Sequence, residues 1–233
     1  MSLKDTLRKQ NYDLIHGPVR NQDLLQVWIK RDFDQINFYR KSMIKIFEEE
    51  FNEEPFINDA LAVVSSDTES FDFSSGMRFL KNALLQFEFS DASIEEHIKN
   101  GKSVSVSYDN SYTKEYASGA IEAYLSGASF DNENTSLQKQ LNRDNLIVIA
   151  GVVFAGNLHV KIETETDINT EVEASLSRIG IANVKFEKTS DRQITMNATG
   201  DKAFPVAVKA YRMRFRNDKF AGLRLVTDNR NFF

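Results

Sequence analysis

Hydrophobic residues in this chain follow two spacings, and both occur in LIVIAGVVFAGNLHVKIETET (146–166). Residues 146–156 are an unbroken apolar run, too short to cross a bilayer as a helix, which takes about 20 residues. From Leu158 the run gives way to strict alternation: Leu158, Val160 and Ile162 are apolar, His159, Lys161 and Glu163 polar. A period of two marks a half-buried strand. It returns in KSVSVSY (102–108), through Val104, Val106 and Tyr108, and in RQITMNATG (192–200), through Ile194, Met196 and Ala198. FPVAVKAYRMRF (204–215) predicts a last long strand. Two short strands are expected at 12–15 and 23–30, around a turn at HGPVRN (16–21) marked by Gly17 and Pro18.

Helical spacing gathers in the first half. Ser2 as N-cap, with Asp5 three residues on, predicts a helix over 2–10. In DQINFYRKSMIKIFEEEF (34–51), Ile36, Tyr39, Met43, Ile46 and Phe47 fall near one face and predict an amphipathic helix. SSGMRFLKNALLQF (74–87) predicts another behind a serine cap, with Met77, Leu80, Leu84 and Phe87 in register. SGAIEAYLSGA (118–128) predicts a short third helix, and the polar stretch 129–145 a loop or frayed helix. The expected fold class is α+β: a single domain with a twisted, mostly antiparallel sheet and several short helices.

Composition narrows the function. With 29 basic and 34 acidic residues the net charge is −5, which argues against a nucleic-acid partner. The absence of cysteine removes disulfides, thiolate metal sites, thiol catalysis and S-acylation. MSLKDTLRKQ has no apolar signal core, so a cytoplasmic protein is expected. The three histidines, His16, His97 and His159, are scattered, and His159 is expected to face solvent from its strand. IEEH (94–97) reads as a charged helix surface, and EEEFNEE (48–54) lacks the Asp/Gly punctuation of a calcium loop. No nucleophile-elbow, Walker A or dinucleotide motif occurs, so no catalytic residue, metal or cofactor is expected, and the chain does not read as an enzyme.

The order of segments carries more. YDLIHGPVRNQDLLQVWIK (12–30), ESFDFSSGMRFLKNALLQF (69–87), KSVSVSYDNSY (102–112), YASGAIEAYLSGASF (116–130), LIVIAGVVFAGNLHVKIETET (146–166) and AFPVAVKAYRMRF (203–215) follow one another in a sequence that resembles the gasdermin pore-forming family, of the compact bacterial and fungal type. The resemblance implies a cell-death effector that is soluble at rest. On activation it moves to the inner face of the cell membrane and oligomerises into a transmembrane β-barrel. Two regions, about 66–110 and about 152–200, would refold into membrane hairpins. Leu158, Val160, Ile162, Ile179, Ile181, Val184, Phe186, Ile194 and Met196 would supply a lipid face, and His159, Lys161, Glu163, Glu187 and Thr195 would face water.

The same alternation also fits an ordinary antiparallel sheet with one face on the core, in a soluble binding or regulatory protein with no membrane activity. The C-terminal part is locally basic, and Lys209, Arg212, Arg214 and Arg216 are candidates for contact with anionic lipid headgroups. Trp28 and Phe38 are expected in the core. The resemblance divides the chain into a pore-forming domain, 1–215, and a tail, 216–233. In the tail Leu223, Leu225, Phe232 and Phe233 would form a short inhibitory segment released by a protease, or control would lie in a partner protein.

Overall fold

Ser2 starts the first helix as its sequence predicts: the hydroxyl accepts a hydrogen bond from the Asp5 backbone N–H at 3.1 Å, capping α1 (Leu3–Lys9). The computed structural model describes residues 2–15, 23–30, 37–47, 49–58, 68–84, 98, 101–131, 133–179 and 183–226, without the side chains of 82, 83, 177–179 and 200–202. The turn at 16–21, Ile36, Phe87, the 94–97 cluster with His97, Ile181, Phe232 and Phe233 lie outside the described residues.

The remaining elements, in chain order, are β1 (Asp13–Leu14), β2 (Val27–Ile29), β3 (Asn37–Arg40), a 3-10 turn (Met43–Lys45), β4 (Phe56–Asn58), β5 (Glu69–Asp72), α2 (Phe73–Leu84), β6 (Gly101–Glu115), α3 (Ser118–Gly127), α4 (Thr135–Asn142), β7 (Leu146–Thr164), α5 (Thr170–Ile179), β8 (Val184–Ser190), β9 (Gln193–Arg216) and β10 (Lys219–Leu225). The strands form one antiparallel sheet of ten. β7 is its spine: β9 runs along one side, while β6 and then β2 share the other. β8, β1 and β10 line the outer edge of β9, and β5 and β4 that of β6.

This arrangement explains the two spacings inside 146–166. Along its first half β7 is covered on both faces: Leu146, Val148 and Ala150 pack with Ile121, Leu137 and Phe215 beneath α3 and α4, while Ile147, Ile149 and Val152 pack with Ile15, Trp28 and Val208 on the other side. A strand buried on both faces has no use for polar positions. Beyond Gly156 only one face is covered, and alternation begins.

Four expectations are corrected. Residues 37–40 are a strand, not part of a helix over 34–51, because Asn37–Arg40 pairs with β2, and among the described residues of that stretch only the 3-10 turn is helical. The polar stretch 129–145 contains a true helix, α4, capped by the Asn134 side chain on the Leu137 N–H and anchored by Leu137 and Leu141. Residues 192–200 and 204–215 belong to one strand of 24 residues, irregular near its middle. Phe38 is 50% exposed, in a T-shaped contact with Trp28, which is buried.

Candidate membrane-insertion surface

Below Gly156 the sheet is two-faced across five strands. Register places Phe71, Val104, Ile162 and Ile194 in one apolar row, Val106, Val160, Met196 and Phe186 in the next, and Tyr108, Leu158, Ala198 and Val184 in a third. All but the half-buried Phe71 are buried in a single cluster. The interleaved rows are polar: Ser105, Lys161, Thr195 and Glu187, then Ser107, His159, Asn197 and Lys185. Seven of the nine residues expected to face lipid, Leu158, Val160, Ile162, Val184, Phe186, Ile194 and Met196, therefore share one surface. Ile179 ends α5 with its side chain outside the description, as is Ile181.

Sequence reasoning left Phe71, Val104, Val106, Tyr108 and Ala198 out of that surface. Their signal was present in the alternation of 102–108 and 192–200, but only the strand order brings them beside Val160 and Ile162.

Helices cover the apolar face. Asp72 caps α2 by accepting from the Ser75 N–H at 3.0 Å, and Met77, Leu80 and Leu84 are buried against the sheet. The helix sits very close: a Cβ added to Gly76 would lie 2.3 Å from Val104 Cβ, and one on Gly101 would lie 1.9 Å from the Phe73 ring. Glycine at these two positions is what allows the approach. α5 covers the β8 side, with buried Leu176 and half-buried Val172 among its described side chains. α1 adds Leu3 and Leu7.

The cations singled out for headgroups are engaged inside the molecule. Lys209, 12% exposed, donates to Glu115 Oε1 at 2.6 Å and lies over the Tyr12 ring, whose hydroxyl donates to the other Glu115 oxygen at 2.7 Å. Burial, and then Glu115 beside it, pushes the Tyr12 phenol well above its ordinary range. Arg212 donates to the Asp144 carbonyl, Arg216 donates to both Asp144 carboxylate oxygens, and Arg214 lies 4.0 Å away. Burial raises the Asp144 carboxyl pKa, but the Arg216 and Phe215 hydrogen bonds outweigh it and leave it below the ordinary value. Exposed Arg40, Lys41 and Lys45 make no ion pair with a carboxylate among the described residues, and they sit beside exposed Phe38 and Ile44.

Of the tail residues, Leu223 and Leu225 belong to β10, which pairs with β9. Leu223 packs on the upper core, and its N–H reaches Glu122 Oε1 at 3.3 Å. His159 is not simply solvated: both ring nitrogens are hydrogen-bonded, to Asn197 and Asp109. Among the described residues no acidic or histidine cluster could hold a metal, and no helix is long and apolar enough to cross a membrane.

A sequence model described as the Bacterial Gasdermin Family matches residues 15–223. The chain belongs to the bacterial gasdermin family. Membership supports a pore-forming effector function rather than an enzymatic one. Solved structures similar to this gasdermin include a bacterial gasdermin from Bradyrhizobium tropiciagri, with 11% identity, 96% of this chain and 91% of that chain covered and a TM-score of 0.49. The Gasdermin A3 membrane pore, solved by cryo-EM, is another, with 9% identity, 100% and 99% covered and a TM-score of 0.39. No curated protein matches this gasdermin by sequence.

Proposed function

We propose that this protein is a cell-death effector, soluble in the cytoplasm at rest, that oligomerises on the inner face of the membrane and turns the two-faced half of its sheet into a transmembrane β-barrel. The observation that carries the proposal is the three-row apolar surface spanning five strands and covered by α1, α2 and α5. Its strands come from the two regions expected to refold, 66–110 and 152–200.

Exposing the seven lipid-facing side chains to water costs on the order of 10–20 kcal/mol, at about 1.5–3 kcal/mol each. Conversion therefore belongs at a bilayer, which takes up the surface that the helices uncover. A membrane strand needs about 9–11 residues, and the barrel must close because an open edge in lipid leaves backbone groups unpaired. β5 supports the required lengthening: it runs into α2 without a loop, so residues 69–84 form one stretch that can extend. Ile179 and Ile181 would join the lipid face, while His159, Lys161, Glu163, Thr195 and Glu187 would line the lumen.

Arg40, Lys41 and Lys45, with Phe38 and Ile44, would make first contact with an anionic leaflet, at about 1 kcal/mol per cation near the surface. Arg212, Arg214 and Arg216 would follow once released by Asp144, and Lys209 once released by Glu115. The tail would restrain the fold through Leu223 and Leu225 on β10, with Phe232 and Phe233 beyond, until a protease or partner protein removes that restraint.

Dye release from anionic vesicles tests the proposal, using the whole chain and a chain shortened before residue 217. Release by the shortened chain is expected. If neither chain causes release, the soluble binding-protein reading replaces this one.

A further inference from the structure

The three central strands share an irregular level. In β6, Asn110 takes a left-handed conformation, with φ of 51°. In β7 the register against β9 shifts around Gly156: Ala155 faces Phe204 and Asn157 faces Thr199, so β9 carries residues 200–203 where β7 carries one. A Cβ on Gly156 would meet the Asn110 side-chain amide at 2.7 Å, so the two irregular positions touch. This level is the border between the half of the sheet buried on both faces and the two-faced half. Bulges bend strands and raise their local twist, so the extra residues of β9 and the left-handed Asn110, which meet at Gly156, mark a hinge line.

Immediately below it, one polar cluster ties the same three strands together. Asp109 of β6 accepts from the Asn157 amide through Oδ1, and its Oδ2 lies 2.8 Å from His159 Nε2 on β7. His159 Nδ1 lies 2.7 Å from Asn197 Oδ1 on β9. With the Asn197 oxygen toward Nδ1, both ring nitrogens face acceptors and the imidazolium supplies a proton to each; the Asp109 carboxylate, which can only accept, favours that charged ring whichever way the amide is turned. The His159 and Asp109 side chains are 42% and 39% exposed, open enough to exchange protons with solvent.

We propose that Asp109, His159 and Asn197 form a proton-dependent latch that fixes the resting angle at this hinge line, and that loss of the His159 proton frees the two-faced half to swing and extend. The swing rests on the pore-forming reading; the latch itself does not. Other charged and polar groups on this face leave the assignment to His159. Lys161 is paired with Glu163 at 3.0 Å, Lys185 and Glu187 stand across Asn197 and Thr195 on β8, and Ser107 faces His159 from β6.

The direction of the pH effect follows. Burial lowers the His159 pKa, but the hydrogen bonds to Asn197 and Asp109 outweigh it and hold it above the ordinary 6.5. A raised folded value means that the latch contributes fully below 6.5 and is lost as pH rises through the folded value. Mild acid holds it closed and neutral-to-basic pH opens it.

The test uses the full chain. NMR titration of the His159 ring needs no variant and is expected to show a midpoint above 6.5; a midpoint at or below that value overturns the latch. Urea unfolding at pH 5.5 and 8.0 is compared for the parent, His159→Gln and Asp109→Asn, so that His16 and His97 cancel in the difference. The parent should gain about two- to fivefold in folding equilibrium at the lower pH relative to either variant, the size of a partly exposed ion pair. Equal pH slopes in all three overturn the latch.

Dye release from anionic vesicles separates the two proposals. A parent rate about two- to fivefold faster at pH 8.0 that becomes flat in His159→Gln supports both. Release with the same pH profile in both chains overturns the latch's control of the swing and leaves the pore-forming reading standing. A latch present in solution, with no release by these chains or by the chain shortened before residue 217, sinks the pore-forming reading alone.

Discussion

Gly76→Ala perturbs the cover of the apolar face at its closest point. The new methyl carbon would start 2.3 Å from Val104 Cβ, whereas ordinary contact begins at 3.4 Å, so α2 must lift by about 1 Å. Val104 Cβ is fixed to the backbone of β6 and cannot turn away. The lift loosens Met77, Leu80 and Leu84 together, because all three are buried beneath the same helix. Overpacking of this kind costs about 1–3 kcal/mol, and exchanging glycine for alanine in a helix returns up to about 1 kcal/mol. The net expectation is a loss of about 1–2 kcal/mol. In urea this is a midpoint lowered by roughly 0.3–1 M with the slope unchanged. Dye release by the same variant should be faster than the parent's, because the cover is already raised. Gly119→Ala in α3 is the control: nothing lies within 4 Å of its added carbon, and it should be as stable as the parent or more stable by up to about 1 kcal/mol. A Gly76→Ala protein as stable as the parent, or one less stable but slower to release dye, would refute the reasoning.

Asp144→Ala removes the acceptor shared by Arg216 and the Phe215 N–H and should cost about 1–2 kcal/mol by urea unfolding at pH 7. Because the folded carboxyl sits below its ordinary 3.8, its contribution is present above that value and lost as pH falls through the folded one; parent and variant should converge in acid. Lys209→Ala leaves Glu115, among the described residues, with the Tyr12 hydroxyl alone and should cost about 1–3 kcal/mol in the same assay, more than truncating exposed Lys219. Val160→Pro should cost about 3 kcal/mol or more and abolish the cooperative transition seen by circular dichroism, since β7 is paired on both sides there.

What the chain reveals before folding is its spacing, and what it hides is which strands become neighbours. The helix at 118–127, the capped first helix and the change of grammar at Gly156 are local, and all are present as read. The spacing over 34–51 misled because Tyr39, Met43, Ile46 and Phe47 satisfy a helical period while Asn37–Arg40 is claimed by β2, a tertiary pairing that overrides local preference. α4 was legible in part, from Leu137 and Leu141 four apart, but its polar surroundings masked it. Alternation identified Val160 and Met196 as candidates separately; only register puts them side by side. Charge was least legible. Asp144 holds Arg216 from 72 residues away, and Glu115 holds Lys209 from 94, so a stretch that reads as an open basic strand is internally paired. Asp109, 50 residues before His159, turns a solvated strand position into part of a cross-strand cluster.

The absence of cysteine from the sequence allows single-cysteine variants at Leu158, His159, Val160, Lys161, Ile162 and Glu163 to be labelled uniquely. With a fluorophore at each position and a nitroxide quencher on the lipid acyl chains, membrane-bound protein reports which side chains meet lipid. An inserted barrel strand predicts quenching at 158, 160 and 162 and none at 159, 161 and 163, together with dye release. Dye release with no quenching at any of the six, or with equal quenching at all of them, would contradict insertion of this surface.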